Sequence, residues 1–333
     1  MMQKMRLSTS SSSVLRYLVQ ALLFGVLVIV FQAALFVLLP RNPYSYHLCY
    51  MKKLASLAQA QSPKVVCVGG SSMAFSMDSE WLEKELGMPV VNTAHHAGLG
   101  LLYMLNSVDP VLSAGDIVVF SAEYEHFDWM PWTGDGTLVE LLFEDPRTAR
   151  YLSAPHIIPV LRGHVSPIKS RVRHLAGKGG KRIFERGPVY NESACNQHGD
   201  VTSHLGMAFG HHIPRMRLAG GPDENRIRML GEALHRWERK GVLILLAPPA
   251  IRESDFNANA EWIRECLSLF ERHLPCQQPF LLEDSFFPRD FFFDTKYHLT
   301  REGRQLRTRQ VLGALREMVQ ESASQGTLPN KVP

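Results

Sequence analysis

Between Tyr17 and Leu39 the chain carries no charged residue, and the run closes on Pro40-Arg41. At a helical rise of about 1.5 Å per residue this stretch covers roughly 34 Å, enough to cross a bilayer with some tilt. A cleaved signal peptide has a shorter apolar core and a small-residue cleavage site. Neither is seen, so a retained signal anchor is expected. Lys4, Arg6 and Arg16 precede the run and Arg41, Lys52 and Lys53 follow it, so positive charge barely discriminates orientation. The short tail ahead of a lone span favours a body outside the cytoplasm. The expected layout is a cytoplasmic tail (1–16), a transmembrane anchor (17–39), a linker (40–63) helical around Lys52 to Ala60, a folded domain (64–322) and a disordered tail (323–333). This describes a single-pass protein of the inner membrane facing the periplasm.

The folded part is of ordinary globular composition, since the 333 residues are 45% hydrophobic and 20% charged. Five short apolar runs read as core strands: Val65 to Val68, Val90 to Asn92, Ile117 to Ser121, Val242 to Ala247 and Phe280 to Leu282. They are rich in Val, Ile and Leu without alternation, as parallel strands covered on both faces require. Helical patterns separate them at Ser79 to Leu86, Leu99 to Ser113, Asp223 to Lys240, Asn257 to His273 and Thr300 to about Glu321. The third is clearest, with Ile227, Leu230, Leu234 and Trp237 on one face and Gly241 as its stop. Strands alternating with helices predict an α/β fold with a doubly wound parallel sheet. From about 129 to 222 the alternation fails, and a long insertion is expected there. Ten of its residues between 145 and 188 are Lys or Arg, against two acids. Such a segment suits an anionic membrane surface, an acidic polymer or plain solvation. The net charge of +4 is modest, and no nucleic-acid partner is expected. Cys49, Cys67, Cys195, Cys266 and Cys276 show no paired-ligand spacing. A bridge between Cys266 and Cys276 is one pairing, and Cys195 is an equal candidate.

Two segments carry chemistry. The run Lys64-Val-Val-Cys-Val stops at Gly69-Gly70-Ser71-Ser72, which presents a serine hydroxyl at the carboxyl end of a buried strand. Open α/β sheets hold their ligands at that edge. Late in the chain, Asp294-Thr-Lys-Tyr-His298-Leu-Thr-Arg-Glu-Gly303 offers a histidine with a nearby carboxylate, which such a serine needs to lose its proton. Together they point to acyl transfer.

With these segments in that order, the chain resembles the SGNH, or GDSL-type, hydrolase superfamily. Gly69-Gly70-Ser71 stands where the family has Gly-Asp-Ser, and Val91-Asn92 through Gly98-Leu-Gly100 fills the second block. Val119-Phe-Ser-Ala-Glu123-Tyr124-Glu125 takes the place of the third block without its Asn. Asp294 and His298 match the last block with one extra residue between them. The resemblance implies a flavodoxin-like three-layer fold, Ser71 as nucleophile, His298 as base and Asp294 as its orienter. It implies backbone N–H groups of Ser71, after Gly70, and of Gly98 as oxyanion donors, with Asn92 in the same block. The missing Asn removes a donor. Tyr124 is a substitute, whereas Glu123 or Glu125 cannot donate when ionised. If the last segment is helical, a spacing of four keeps Asp294 and His298 on one face; otherwise Asp290 or Asp284 orients the histidine.

The layout is similar to the membrane-anchored branch that accompanies envelope polysaccharide O-acylation. The resemblance therefore implies an esterase or O-acyltransferase acting on a glycan or other acyl ester. It implies no cofactor and no metal, and, for transfer, a membrane partner that handles the acyl donor. The rival expectation is a non-catalytic, polymer-binding scaffold. Adjacent His95-His96 and His211-His212 do not face one way on a regular element, and His95 or His96 is expected to line the pocket. Trp129 to Trp132 suits either sugar stacking or packing, Asn196 to Asp200 either substrate contact or a turn, and Pro248-Pro249 the pocket rim.

Overall fold

The computed structural model describes residues 11–163, 165–177, 184–208, 213–275 and 285–324. They fall into two units, residues 1–41 with 165–183, and residues 42–164 with 184–333. In the first unit, α1 (Ser11–Leu38) is apolar all round, and Val14–Leu38 is long and apolar enough to cross a membrane. That unit also holds an amphipathic helix, Val165–Gly177 (α8 in chain order), with exposed Val165, Val172 and Leu175.

The second unit is α/β. Strands β1 (Val65–Gly69), β2 (Val90–Asn92), β3 (Ile117–Ser121) and β4 (Leu243–Leu246) form one parallel sheet in the order β2-β1-β3-β4. Val65 lies opposite both Val90 and Ile117, and Ile117 opposite Leu243. Every residue of β1, β2 and β3 is buried, which explains their unbroken apolar runs. The strand expected at Phe280 to Leu282 lies outside the described residues. A separate parallel pair joins β5 (Ile251–Arg252) to β6 (Phe286–Phe287).

The helices of this unit are α2 (His47–Gln59), α3 (Ser71–Ala74), α4 (Ser79–Leu86), α5 (Leu101–Val108), α6 (Gly136–Glu144), α7 (Ile157–Gly163), α9 (Glu224–Arg239), α10 (Glu253–His273) and α11 (Arg301–Ser324). Local chemistry sets their ends. Asp78 caps α4 by accepting from Trp81 N at 3.3 Å, and Gly87 closes it at φ 63°. Asp223 caps α9, which buries Ile227, Leu230, Leu234 and Trp237 as their spacing predicts. The helix expected to run on to Ser113 stops at Val108, followed by a 3-10 turn over Asp109–Val111; Pro110 has no amide to continue it. Helix α10 starts four residues earlier than expected and kinks at Asn259, whose side chain donates to Asp255 O at 2.7 Å.

One expectation about organisation is corrected. Residues 40–63 are not a linker: α2 buries Cys49, Tyr50, Leu54 and Leu57, an apolar stripe at helical spacing that makes it part of the core. The insertion over 129–222 is tied into the fold. Asp200 is fully buried, accepting from Ser79 N at 2.8 Å, Ser79 Oγ at 2.7 Å and Asn92 Nδ2 at 2.9 Å and pairing with Arg304 at 3.1 Å. A buried carboxylate is tolerated only with such partners, and these tie the segment to β2, α4 and α11. The expected tail begins inside α11, and 325–333 lie outside the described residues.

Candidate active site

Ser71 stands where β1 ends and α3 begins. Gly69 must be glycine for a steric reason, and Gly70 leaves the space that the Glu123 carboxylate occupies. A Cβ on Gly69 would collide with the Ser121 carbonyl, and one on Gly70 with the Glu123 carboxylate. The chain therefore passes directly over the carboxyl end of β3. In the order β2-β1-β3-β4 the connections leave β1 and β3 in opposite directions, and a crevice opens between these two strand ends. Ser71 Oγ is 3.4 Å from Glu123 Oε1, and the same oxygen accepts from Ser72 N at 2.8 Å. The Ser71 backbone N–H has no partner among the described residues.

Asp294 and His298 do not lie on a helix. They sit on a turn closed by the Phe292–Leu299 bridge and by Phe293 N donating to His298 O at 2.8 Å. The turn still brings them together, with His298 Nδ1 donating to Asp294 Oδ1 at 2.8 Å. Of the alternative orienters, Asp290 is exposed beside Arg289, and Asp284 lies outside the described residues. The other Asp294 oxygen accepts from Tyr190 OH at 2.6 Å, and that hydroxyl is 3.2 Å from His298 Nδ1. Burial alone raises the Asp294 pKa. The His298 hydrogen bond and charge, with the Tyr190 hydrogen bond, outweigh it and hold the carboxyl below its usual range. Phe75, at the end of α3, stacks flat on the His298 ring at 3.8 Å, fixing its plane. With Nδ1 committed to Asp294, Nε2 is the nitrogen left to exchange a proton.

A cavity of about 620 Å³ opens over these groups, lined by Ser71, His298, Glu123, His96, Tyr190 and Trp129 among others. Glu125 also lines it, accepting from Tyr297 OH at 2.6 Å and pairing with Lys296. Among the described residues no direct hydrogen bond joins Ser71 to His298.

The second block differs from expectation. The Gly98 N–H is not free for an oxyanion, because it donates to His96 Nδ1 at 3.0 Å. That bond fixes the tautomer: with Nδ1 accepting, the neutral ring carries its proton on Nε2. His96 reaches solvent through the cavity mouth, yet enclosure by the cavity wall disfavours its charged form and lowers its pKa, with Asp135 and Glu123 opposing. Sequence reasoning placed His95 or His96 at the pocket, and the two diverge. His95 is buried, stacked on Tyr46 at 4.2 Å and held well below its ordinary pKa by burial.

Other expected site residues lie elsewhere. Asn92 is buried, donating to Met73 O and Asp200; its amide holds the fold. Tyr124 is buried with its ring edge-on to Trp262 and lines no part of the cavity, so it replaces no oxyanion donor. Pro248-Pro249 are also absent from the cavity wall, and Pro248 O accepts from Arg307. Asn196 closes its own turn by accepting from His198 N and Asp200 N. Trp132 is buried while Trp129 faces the cavity. Tyr190 was not anticipated: it comes from the insertion, 104 residues from Asp294, and no local pattern announces it. His211 and His212 lie outside the described residues, and no group of three or more ligating side chains able to hold a metal ion occurs among those described.

Comparison with family models, with curated proteins and with solved structures gives no match, so the site's own geometry carries the functional reading.

Proposed function

We propose that the chain is an SGNH-type serine esterase or O-acyltransferase, anchored by α1 with its second unit outside the cytoplasm, in the periplasm. Its substrate would be an acyl ester of a cell-envelope glycan. The observation that carries the reading is one cavity, at the carboxyl edge of a parallel sheet, lined by both Ser71 and an Asp294-oriented His298. The strand order agrees with a doubly wound, flavodoxin-like sheet whose switch point lies between β1 and β3.

In the proposed reaction Ser71 turns from Glu123 toward His298, whose Nε2 takes the hydroxyl proton as Oγ attacks the ester carbonyl. The Ser71 N–H and His96 Nε2–H donate to the oxyanion, the latter filling the place of the missing third-block Asn. Collapse expels the alcohol, which takes the proton back from His298 and leaves an acyl-serine. Water or a sugar hydroxyl then attacks the acyl group, with His298 again as base. Asp294 stabilises the imidazolium and Tyr190 holds Asp294. Trp129 offers a face on which a sugar ring can stack.

A specific observation favours the second reading, a non-catalytic polymer-binding scaffold: the Ser71 hydroxyl bonds Glu123 rather than His298. Fluorophosphonate labelling of the full chain in mild detergent separates the two. Labelling of wild type that is lost in both Ser71→Ala and His298→Ala is the expected result. An unlabelled, well-folded wild type leaves the scaffold.

A further inference from the structure

Large apolar side chains exposed singly are ordinary on a protein surface, but a row of them along one side of a helix asks for a partner. Outside α1, such side chains gather in one stretch of the chain. In the second unit, α7 exposes Ile157, Ile158 and Leu161; in the first, α8 exposes Val165, Val172 and Leu175. Residues 146–184 contain no Asp or Glu, so the Lys and Arg side chains among them have no local acid to neutralise them.

Helix α8 has two unlike sides. Pro167 and Arg171, four positions apart, are buried, with Arg171 Nη1 donating to Pro167 O at 3.3 Å. The other side is open to solvent. Val165, Val172 and Ala176 fall in one row along the helix, with Leu175 beside it, and all are exposed. Lys169 and Arg173, also exposed and one turn apart, run along the edge of that row. An apolar row bordered by cations has the chemistry of a helix lying in the headgroup layer of a bilayer. There the apolar side chains enter the acyl boundary, while the lysine and arginine stems reach back to the phosphates.

We propose that α8 lies flat on the anionic lipid surface of the membrane that α1 crosses, with Val165, Val172 and Leu175 facing the acyl chains and Lys169 and Arg173 on lipid phosphates. Two features select lipid over other occupants. A soluble acidic polymer would match the cations but leave the apolar row in water, whereas a bilayer satisfies both. Helix α8 also belongs to the same unit as α1, so the lipid surface is tethered to it and present at high effective concentration.

The inference rests on α1 as a membrane anchor and goes beyond the esterase reading. Hydrogen exchange of the full chain, one chain per nanodisc, tests it without any catalytic readout. Nanodiscs of phosphatidylcholine are compared with nanodiscs of an equimolar mixture of phosphatidylcholine and phosphatidylglycerol. The expected result is slower exchange across 165–177 in the mixture, reversed by high salt, with α1 protected in both. Each cation at an anionic surface is worth about fivefold, so replacing both Lys169 and Arg173 by Gln should lower the ratio of bound to free α8 by about 25-fold. Val172→Asp should abolish the slowing. Thermal unfolding should be unchanged in these variants, since all three side chains are exposed. Equal exchange over 165–177 in the two lipids, with α1 protected, would overturn the inference and leave the anchor standing; rapid exchange in α1 would overturn both. Slowing seen only when two chains share a nanodisc would assign the row to a second copy. Slowing produced by dextran sulfate in the neutral nanodiscs would assign it to an acidic polymer. Either result overturns the inference.

Discussion

Asp294→Asn exchanges one carboxylate oxygen for an amide and removes one charge while nearly preserving shape. In the protein, Asp294 Oδ1 accepts from His298 Nδ1 at 2.8 Å and Oδ2 accepts from Tyr190 OH at 2.6 Å. An asparagine can keep both contacts, since its oxygen still accepts from His298 and the Tyr190 hydroxyl can reverse to accept from the amide. What it cannot supply is charge. In the proposed reaction His298 becomes cationic as Ser71 attacks. Two unit charges about 4 Å apart at an effective dielectric of about 20 attract by about 4 kcal/mol. That converts to about 10³ in rate. The Asp294 side chain is 29% exposed, and the water there screens part of the attraction, so a loss of about 10²- to 10³-fold is expected. The assay is the second-order rate constant of fluorophosphonate labelling at one pH, with thermal unfolding as a control for folding. A variant that labels within about threefold of wild type, a difference under 1 kcal/mol, while His298→Ala is inert, would refute the assigned role of Asp294.

Tyr190→Phe removes the hydroxyl that helps keep the Asp294 pKa low. A carboxyl depressed by folding stabilises the protein above its unfolded pKa, and that contribution is lost as pH falls through the folded value. The variant should therefore lose labelling and thermal stability at a higher pH on the acid side than wild type; coincident acid limbs would remove Tyr190 from the relay. His96→Leu should slow labelling by about 100-fold with little change in melting temperature, and His96→Gln, which retains a donor, should recover part of the rate. An unchanged rate in His96→Leu rules out an oxyanion role. Asp116→Ala strands the buried Lys64 ammonium, which now sits 2.7 Å from Asp116 at the amino ends of β1 and β3. Chemical denaturation should register a cost of about 3–5 kcal/mol, and a cost below about 1 kcal/mol would mean that water already reaches the pair.

Much of the sheet was legible because burial on both faces leaves an unmistakable mark. Val65-Val66-Cys67-Val68 and Ile117 to Ser121 are apolar throughout, and both fall in strands at the positions read. Helix α9 was equally plain from its stripe and its Asp223 cap. Where the reading failed, the cause was a contact at long range. Nothing near Asp200 says that its carboxylate is buried against Ser79 and Arg304, and the stripe of Cys49, Tyr50, Leu54 and Leu57 in α2 does not say which strand it meets. Asn92 stood as a site residue because the resemblance put it in the second block. Its amide instead satisfies Asp200, a demand invisible without the fold. Tyr190 escaped notice for the same reason: its phenol meets Asp294 across more than a hundred positions.

The most instructive departure is the pair Gly70 and Glu123. Judged along the sequence, Gly70 and the 121–125 segment are two unrelated departures from the SGNH pattern the chain resembles, the first harmless to the mechanism and the second removing a donor. In space they are one exchange. The Glu123 side chain reaches back from the end of β3, occupies the volume a Gly70 side chain would need, and accepts from Ser72 N at 2.8 Å. A carboxylate from the end of β3 thus stands beside Ser71, and Gly70 leaves room for it. The exchange has a consequence for the oxyanion. A side chain that accepts from Ser72 N cannot at once donate to a substrate oxygen from the same atom, so the donor must come from another element. His96, with its tautomer fixed by Gly98 and its Nε2–H at the cavity, answers that requirement. Under the proposed reaction, Gly70, Glu123 and the Gly98–His96 hydrogen bond act as a single arrangement, and testing His96 and Glu123 together by double-mutant cycle would expose their coupling.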